Sequence, residues 1–184
     1  ERVKKAVRVP VIAAGKIDAE LAEEVIAGGK ADFVAMGRPL LADPELPEKV
    51  HRGPVEDVRR CIYCNNCLKA DPEAGPGSCS VNPYLYREAK YPPPPAKAAK
   101  RVMVVGGGLG GMQAALFLAQ RGHRVSLYEK KPQLGGQWNV ACATPGKEGY
   151  ATFTQYLKRF LDRYSVNITL NTEVTRDLVM EVRP

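Results

Sequence analysis

Long apolar runs are missing from this 184-residue sequence. Nothing in it approaches the roughly 20 uninterrupted apolar residues that a membrane helix needs, so no membrane partner is expected. The first residues, Glu1-Arg2-Val3-Lys4, lack the charged-then-apolar order of a secretory leader. Aromatic residues are few, 7% with a single Trp, and the formal charge of +7 is not gathered into a dense stripe. A nucleic-acid binder shows such a stripe with interleaved aromatics, so no nucleic-acid partner is expected either. The net charge is −2 over residues 1–57, +3 over 58–99 and +6 over 100–184. Scattered pairs such as Lys130-Lys131 and Lys158-Arg159 fit a solvated surface with some attraction for anionic phosphate cofactors. There are two histidines, His51 and His123, both remote from the cysteines and read as surface or turn residues. No internal repeat is present. The five cysteines are an odd number in a chain without a leader, which argues against a secreted disulfide framework.

What is present is an ordinary globular composition, 45% apolar and 26% charged, with four of the five cysteines packed within 19 residues. Clustered thiols without a leader point to a reducing compartment, hence the cytoplasm, and to a metal.

Two α/β patterns flank the cysteines. Residues 9–15 read as a buried strand, Asp18 as a helix N-cap, and Leu21, Ala22, Val25 and Ile26 as one helical face ended by Gly28-Gly29. Residues 31–37 read as a second strand, with Pro39 in the first turn of a further helix. Strand–helix–strand–helix with short connections implies a parallel sheet. Two such strands cannot cover both their faces, so this part is expected to need residues from elsewhere, and the chain to be a fragment. Four consecutive prolines at 92–95 mark an extended spacer and the best domain boundary. Beyond it Val102–Val105 reads as a strand, Leu109–Arg121 as a helix, Arg124–Glu129 as a strand, and 130–149 as a long Gly-rich loop. Phe153, Tyr156, Leu157, Phe160, Leu161 and Tyr164 mark one face of an amphipathic helix, and Val166, Ile168 and Leu170 a last strand.

The cysteine spacing is Cys-x2-Cys-x2-Cys-x11-Cys, through Cys61, Cys64, Cys67 and Cys79. Three cysteines so close can wrap a loop around one compact iron–sulfur cluster, with a fourth arriving from further along. Zinc is the alternative, but it favours two separated Cys-x2-Cys knuckles, and the second is absent. A zinc-stabilised, non-catalytic binding module therefore stands as a reading of another class. Cys142 is read as an ordinary free thiol.

Gly106-Gly107-Gly108-Leu109-Gly110-Gly111 forms G-x-G-x-x-G through Gly106, Gly108 and Gly111, after a strand and at the start of a helix. Glycines there permit a tight turn and bring backbone N–H groups to a pyrophosphate at the helix N-terminus. Glu129, at the end of the next strand, would accept from a ribose 2′-OH and disfavours a 2′-phosphate. These residues alone do not separate FAD from NAD. A quieter pair, Gly15-Lys16 and Gly37-Arg38, follows the first two strands. Consecutive βα turns with a glycine and a cation could bind a phosphate, or be plain strand-to-helix turns.

Several blocks resemble a known family: Val11-Ile12-Ala13-Ala14-Gly15-Lys16-Ile17, Met36-Gly37-Arg38-Pro39-Leu40-Leu41-Ala42-Asp43-Pro44, Cys61-Ile62-Tyr63-Cys64-Asn65-Asn66-Cys67, Cys79-Ser80-Val81-Asn82-Pro83 and Leu134-Gly135-Gly136-Gln137. Their order resembles the multidomain flavoproteins of the NADH:flavin oxidoreductase (old yellow enzyme) class, typified by 2,4-dienoyl-CoA reductase and trimethylamine dehydrogenase. The resemblance implies an α/β chain in four parts. Residues 1–57 would be the last two βα units of an FMN-binding TIM barrel, 58–83 a [4Fe–4S] segment, 84–99 a Pro-rich linker and 100–184 the first part of a Rossmann-type FAD-binding domain. It places Gly15, Lys16, Gly37 and Arg38 near the FMN phosphate and Gln137 near the flavin nucleotide. In the reductase branch NAD(P)H reduces FAD, electrons pass through the cluster to FMN, and an activated C=C is reduced. In the amine dehydrogenase branch electrons leave an amine, and ADP occupies the nucleotide site. NAD(P)H and the small-molecule substrate would meet parts of the protein beyond this sequence. No catalytic residue is expected here, the fragment alone is expected to be inactive, and a homo-oligomer is left open.

Overall fold

The computed structural model describes residues 1–69, 77–90 and 92–184. Residues 70–76, within the expected cluster segment, and residue 91, within the expected linker, lie outside the described residues. The chain divides into two compact units, Glu1–Tyr86 and Arg87–Pro184.

In the first unit, helix α1 (Arg2–Ala6) precedes strand β1 (Ile12–Ala14), helix α2 (Ala19–Ala27), strand β2 (Phe33–Ala35), and helices α3 (Arg38–Ala42) and α4 (Leu46–Arg52). Asp18 caps α2, its carboxylate accepting the Leu21 N–H at 3.0 Å. That satisfies one of the donors a helix start leaves unpaired. Gly28 closes the helix, and Gly29 turns the chain at φ +61°. Pro39 sits in the first turn of α3, where its missing N–H costs nothing. β1 and β2 pair in parallel, with Ile12 opposite Phe33 and Ala14 opposite Ala35. Ile12 and Phe33 are 63% and 58% exposed, so this small sheet leaves an apolar face open among the described residues. Both strands are shorter than the apolar runs at 9–15 and 31–37, pairing over three residues each.

The second unit is a three-stranded parallel sheet in the order β3 (Arg101–Val105), β4 (Arg124–Tyr128), β5 (Asn167–Thr169). Helix α5 (Leu109–Gln120) links β3 to β4. Helices α6 (Trp138–Cys142) and α7 (Ala151–Arg163) lie between β4 and β5, and α8 (Arg176–Val182) follows β5. Met112, Ala115, Leu116, Leu127, Leu157 and Leu161 are 2% exposed or less and form the core. Burying each leucine is worth about 1.5–3 kcal/mol. The aromatic face of α7 is buried as its periodicity implies, with one exception. Tyr164 is 42% exposed, because α7 ends at Arg163 and Tyr164 leaves the helical face as its cap.

The stretch expected to be a plain loop after β4 contains α6 and a short turn at Glu148–Tyr150. Trp138 ties the two together: its indole N–H donates to the Tyr150 carbonyl at 3.0 Å, and the rings stack with centroids 5.2 Å apart. One turn of helix is too short to carry a readable period. The proline run is docked: Pro93 is buried, the Ala96 N–H donates to the Arg121 carbonyl, and Arg121 donates to the Pro94 carbonyl. No helix among the described residues is long and apolar enough to cross a membrane.

Candidate functional site

In the first unit the parallel register brings the two βα turns to the same, carboxyl end of the sheet. Gly15 has φ +111° and Lys16 φ +52°, a reversal that β-branched residues resist. A Cβ on Gly15 or Gly37 would meet nothing within 4 Å, so backbone at both turns is open to an approaching group. Such open turns at strand ends suit a phosphate. Arg38 opens α3 and reaches the cysteine loop. Its Nη1 donates to Asn65 Oδ1 at 2.5 Å, and its guanidinium lies 5.1 Å from the Tyr63 ring centroid. Sequence reading paired Arg38 with a phosphate and did not foresee this contact.

Cys61, Cys64, Cys67 and Cys79 are all half-buried and none is in a disulfide. Cys61 lies within electrostatic range of Cys79, Arg38 and Cys67. Burial pushes its thiol up; the Tyr63 N–H, donated to Sγ at 3.4 Å, works the other way. The Cys64 thiol donates to Ser80 Oγ at 3.3 Å. Asn66 donates to the Ser78 carbonyl and hydroxyl at 3.1 and 2.8 Å. A Cβ on Gly77 would stand 2.6 Å from the Cys67 carbonyl, so only glycine lets the chain pass there. Tyr63 and Asn65 hold φ of +51° and +61°, which bends the Cys-x2-Cys-x2-Cys stretch tightly.

Among the described residues no group of three or more His, Cys, Asp or Glu side chains is disposed to hold a single metal ion. Thiolates on a four-iron cluster each reach a different iron, so they stand farther apart than the ligands of one ion. Four soft sulfur donors on a bent loop with an N–H aimed at one sulfur fit such a cluster.

This loop is anchored by charged and polar groups. Arg60 makes a bidentate pair with Glu20, one oxygen at 2.9 Å, and lies 3.8 Å from Asp18. The guanidinium holds the Glu20 carboxyl below its usual range. Asp43, 1% exposed, accepts from Lys49 Nζ at 2.7 Å and from the Arg59 N–H at 2.7 Å.

In the second unit the glycine motif turns as its spacing implies. Gly106 has φ +98°, and Gly108 is the N-cap of α5. A Cβ on Gly111 would lie 1.9 Å from the Gly106 carbonyl, so α5 can approach β3 only with glycine there. A Cβ on Gly108 would meet nothing within 4 Å, leaving an open cradle at the helix N-terminus. Glu129 is buried at 7% exposure. Its Oε2 accepts the Gly107 N–H at 2.6 Å and its Oε1 the Lys131 N–H at 2.9 Å. These two backbone bonds, Lys131 first, hold its carboxyl below the ordinary value against the opposing effect of burial. A cavity of about 260 Å³ opens beside it, bounded by Val105, Gly106, Tyr128, Lys130 and Thr172. The Gly135-Gly136 loop lies over the glycine turn, with the Gly135 N–H donating to the Gly107 carbonyl at 2.8 Å. Gln137 follows as the exposed N-cap of α6. Cys142 sits on α6, in the unit that does not contain the other four cysteines.

Residues 1–56 match the NADH:flavin oxidoreductase / NADH oxidase family, and residues 104–164 match an NAD(P)-binding Rossmann-like domain. The chain thus joins a segment of the NADH:flavin oxidoreductase / NADH oxidase family to a Rossmann-like segment. An NADH oxidase of Thermoanaerobacter brockii is 43% identical over 100% of this chain and 29% of its own length. A cinnamate reductase of Clostridium sporogenes is 38% identical over 98% of this chain and 28% of its own. The solved structure of histamine dehydrogenase from Rhizobium sp. 4-9 superposes with a TM-score of 0.87 at 28% identity, over 97% of this chain and 28% of its own. The chain thus spans under a third of the length of these relatives.

Proposed function

We propose that this chain is the part of a cytoplasmic iron–sulfur flavoprotein that holds a [4Fe–4S] cluster and the dinucleotide end of FAD, and contributes to an FMN site. Residues 1–57 are the last two βα units of the FMN barrel, 58–83 the cluster segment, 84–99 the linker and 100–184 the start of the FAD domain. The whole protein reduces an activated C=C of the 2-enoate or 2,4-dienoyl-CoA type, with NAD(P)H as reductant. The cluster, FAD and FMN supply the electron-carrying chemistry between the two. The observation that carries this reading is Arg38: it rises from the open turn after β2 and hydrogen-bonds the cysteine loop.

Cys61, Cys64, Cys67 and Cys79 would ligate the iron as thiolates, and the Tyr63 N–H supports the Cys61 sulfur. Gly15, Lys16, Gly37 and Arg38 would present amides and two cations to a phosphate. Gly106, Gly108 and Gly111 would admit a pyrophosphate at the start of α5, and Glu129 keeps acceptor capacity for a ribose beside the 260 Å³ cavity. Gln137 is held near that turn by the Gly135–Gly107 bond. The open face of Ile12 and Phe33 suits cover by further barrel strands. The likeness to histamine dehydrogenase favours a second reading, an amine dehydrogenase with ADP at the nucleotide site.

The test is anaerobic purification of the full-length protein, followed by iron, sulfide and zinc counts and mass identification of the released nucleotides. A brown protein absorbing broadly near about 400 nm and releasing FAD and FMN supports the reductase. ADP moves the assignment to the amine branch. A colourless zinc protein without flavin overturns both.

A further inference from the structure

We infer that Arg59 and Asn82 form a clasp that closes the cysteine loop at its base and positions the cluster. The inference rests on the cluster reading above and goes beyond the ligands. Arg59 stands two residues before Cys61, and Asn82 three residues after Cys79. They are 6% and 2% exposed, and Arg59 Nη1 donates to Asn82 Oδ1 at 2.7 Å. The two ends of the loop are therefore joined side chain to side chain.

Both residues are also fixed to the segment that begins at Arg38. The Arg59 N–H donates to Asp43 Oδ2 at 2.7 Å, and Asn82 Nδ2 donates to the Leu41 carbonyl at 2.9 Å. Asp43 takes Lys49 and the Glu45 N–H as well. Asn82 further orders the exit from the loop, its Oδ1 accepting the Tyr84 N–H at 3.0 Å. Paired polar groups in a buried site favour one arrangement, because breaking a pair leaves a buried donor or acceptor unmatched. The clasp thereby ties the entry and the exit of the cysteine loop together at its base. Partners behind metal ligands typically change metal retention by ~10–100-fold when removed.

The experiment uses full-length protein, purified anaerobically. Arg59→Met keeps the side-chain volume and the backbone bond to Asp43 while removing the guanidinium. Asn82→Ala removes the other half, and Asn82→Asp keeps the oxygen that accepts from Arg59 and Tyr84. Bleaching of the cluster by an iron chelator is timed, and bound FMN and FAD are counted in the same samples. Arg59→Met and Asn82→Ala should lose the cluster on the order of tenfold faster than wild type while keeping FMN. Asn82→Asp keeps the Arg59 contact but sets an oxygen against the Leu41 carbonyl, so its rate should fall between wild type and Asn82→Ala. Rates unchanged in Arg59→Met and Asn82→Ala overturn the inference. So does loss of FMN together with the cluster, or failure to fold, since either makes the pair general core. Asn82→Asp behaving as Asn82→Ala overturns it too. Wild-type protein without iron and sulfide overturns the underlying reading, and the clasp with it.

Discussion

Glu129 closes back on the glycine turn, its Oε2 accepting the Gly107 N–H at 2.6 Å across 22 residues of sequence. Its other oxygen accepts the Lys131 N–H, so the carboxylate braces both the glycine turn and the end of β4. A residue expected only to meet a ribose thus also braces the turn expected to meet the pyrophosphate. The two roles are compatible, because a carboxylate offers about four acceptor positions.

A pH dependence follows. The folded carboxyl of Glu129 sits below its ordinary value, held there by the Lys131 and Gly107 amides. Its contribution to stability is therefore complete above the unfolded carboxylate pKa and is lost as the pH falls through the folded one. Glu129→Gln should cost about 1–3 kcal/mol near neutrality, since the amide nitrogen faces an N–H donor. It should also flatten the acid limb of the melting-temperature profile. Thermal melts of wild type and variant across the acid range check this; parallel profiles would show that the bracing contributes nothing.

The glycines separate fold from ligand. Gly111→Ala drives a methyl into the Gly106 carbonyl, and rigid backbone cannot yield by that much. FAD content and thermal stability should both collapse. Gly108→Ala meets open space at an ordinary φ of −68°, so melting without nucleotide should stay within about 0.5 kcal/mol of wild type. Its methyl occupies the cradle, and nucleotide binding should fall at least tenfold. Equal nucleotide affinity in Gly108→Ala would mean the pyrophosphate does not approach there.

The dinucleotide unit was legible because its elements are long and its spacing fixed. The strand before Gly106, the helix after it and Glu129 at the end of β4 follow from period and motif. Asp18 as a cap and the apolar face of α7 were legible for the same reason. The polar network was not. Asp43, Arg59 and Asn82 lie far apart in sequence, and a buried ion or amide looks like any surface one until the fold pairs it. The backbone reversals at Tyr63 and Asn65 escaped too, since neither residue is a glycine. Helix α6 was hidden by length and by the glycines in front of it.

The cysteines are tested by difference. Cys64→Ala should abolish the cluster, because alanine offers the iron no donor atom. Cys142→Ser should leave iron and sulfide at wild-type stoichiometry after anaerobic reconstitution. A cluster lost with Cys142, or kept without Cys64, assigns the ligands wrongly.

Arg38 joins the two halves of the first unit. Its guanidinium has five donors in a planar fork, and one nitrogen is engaged by Asn65 while the face lies over Tyr63. That leaves geometry for a bidentate phosphate contact from the same side chain. Arg38→Ala in full-length protein should weaken FMN binding by about 2–4 kcal/mol and spare FAD. Arg38→Lys keeps the charge without the fork or the stacking face, so its FMN content should fall between the two. Asn65→Gly is the control. It removes the acceptor but tolerates the φ of +61°, and it should leave FMN in place if Arg38 grips the phosphate directly. Flavins released by heat and counted by chromatography decide. Unchanged FMN in Arg38→Ala would reduce Gly37-Arg38 to a turn. FMN lost equally in Asn65→Gly would show that Arg38 acts only by shaping the cysteine loop.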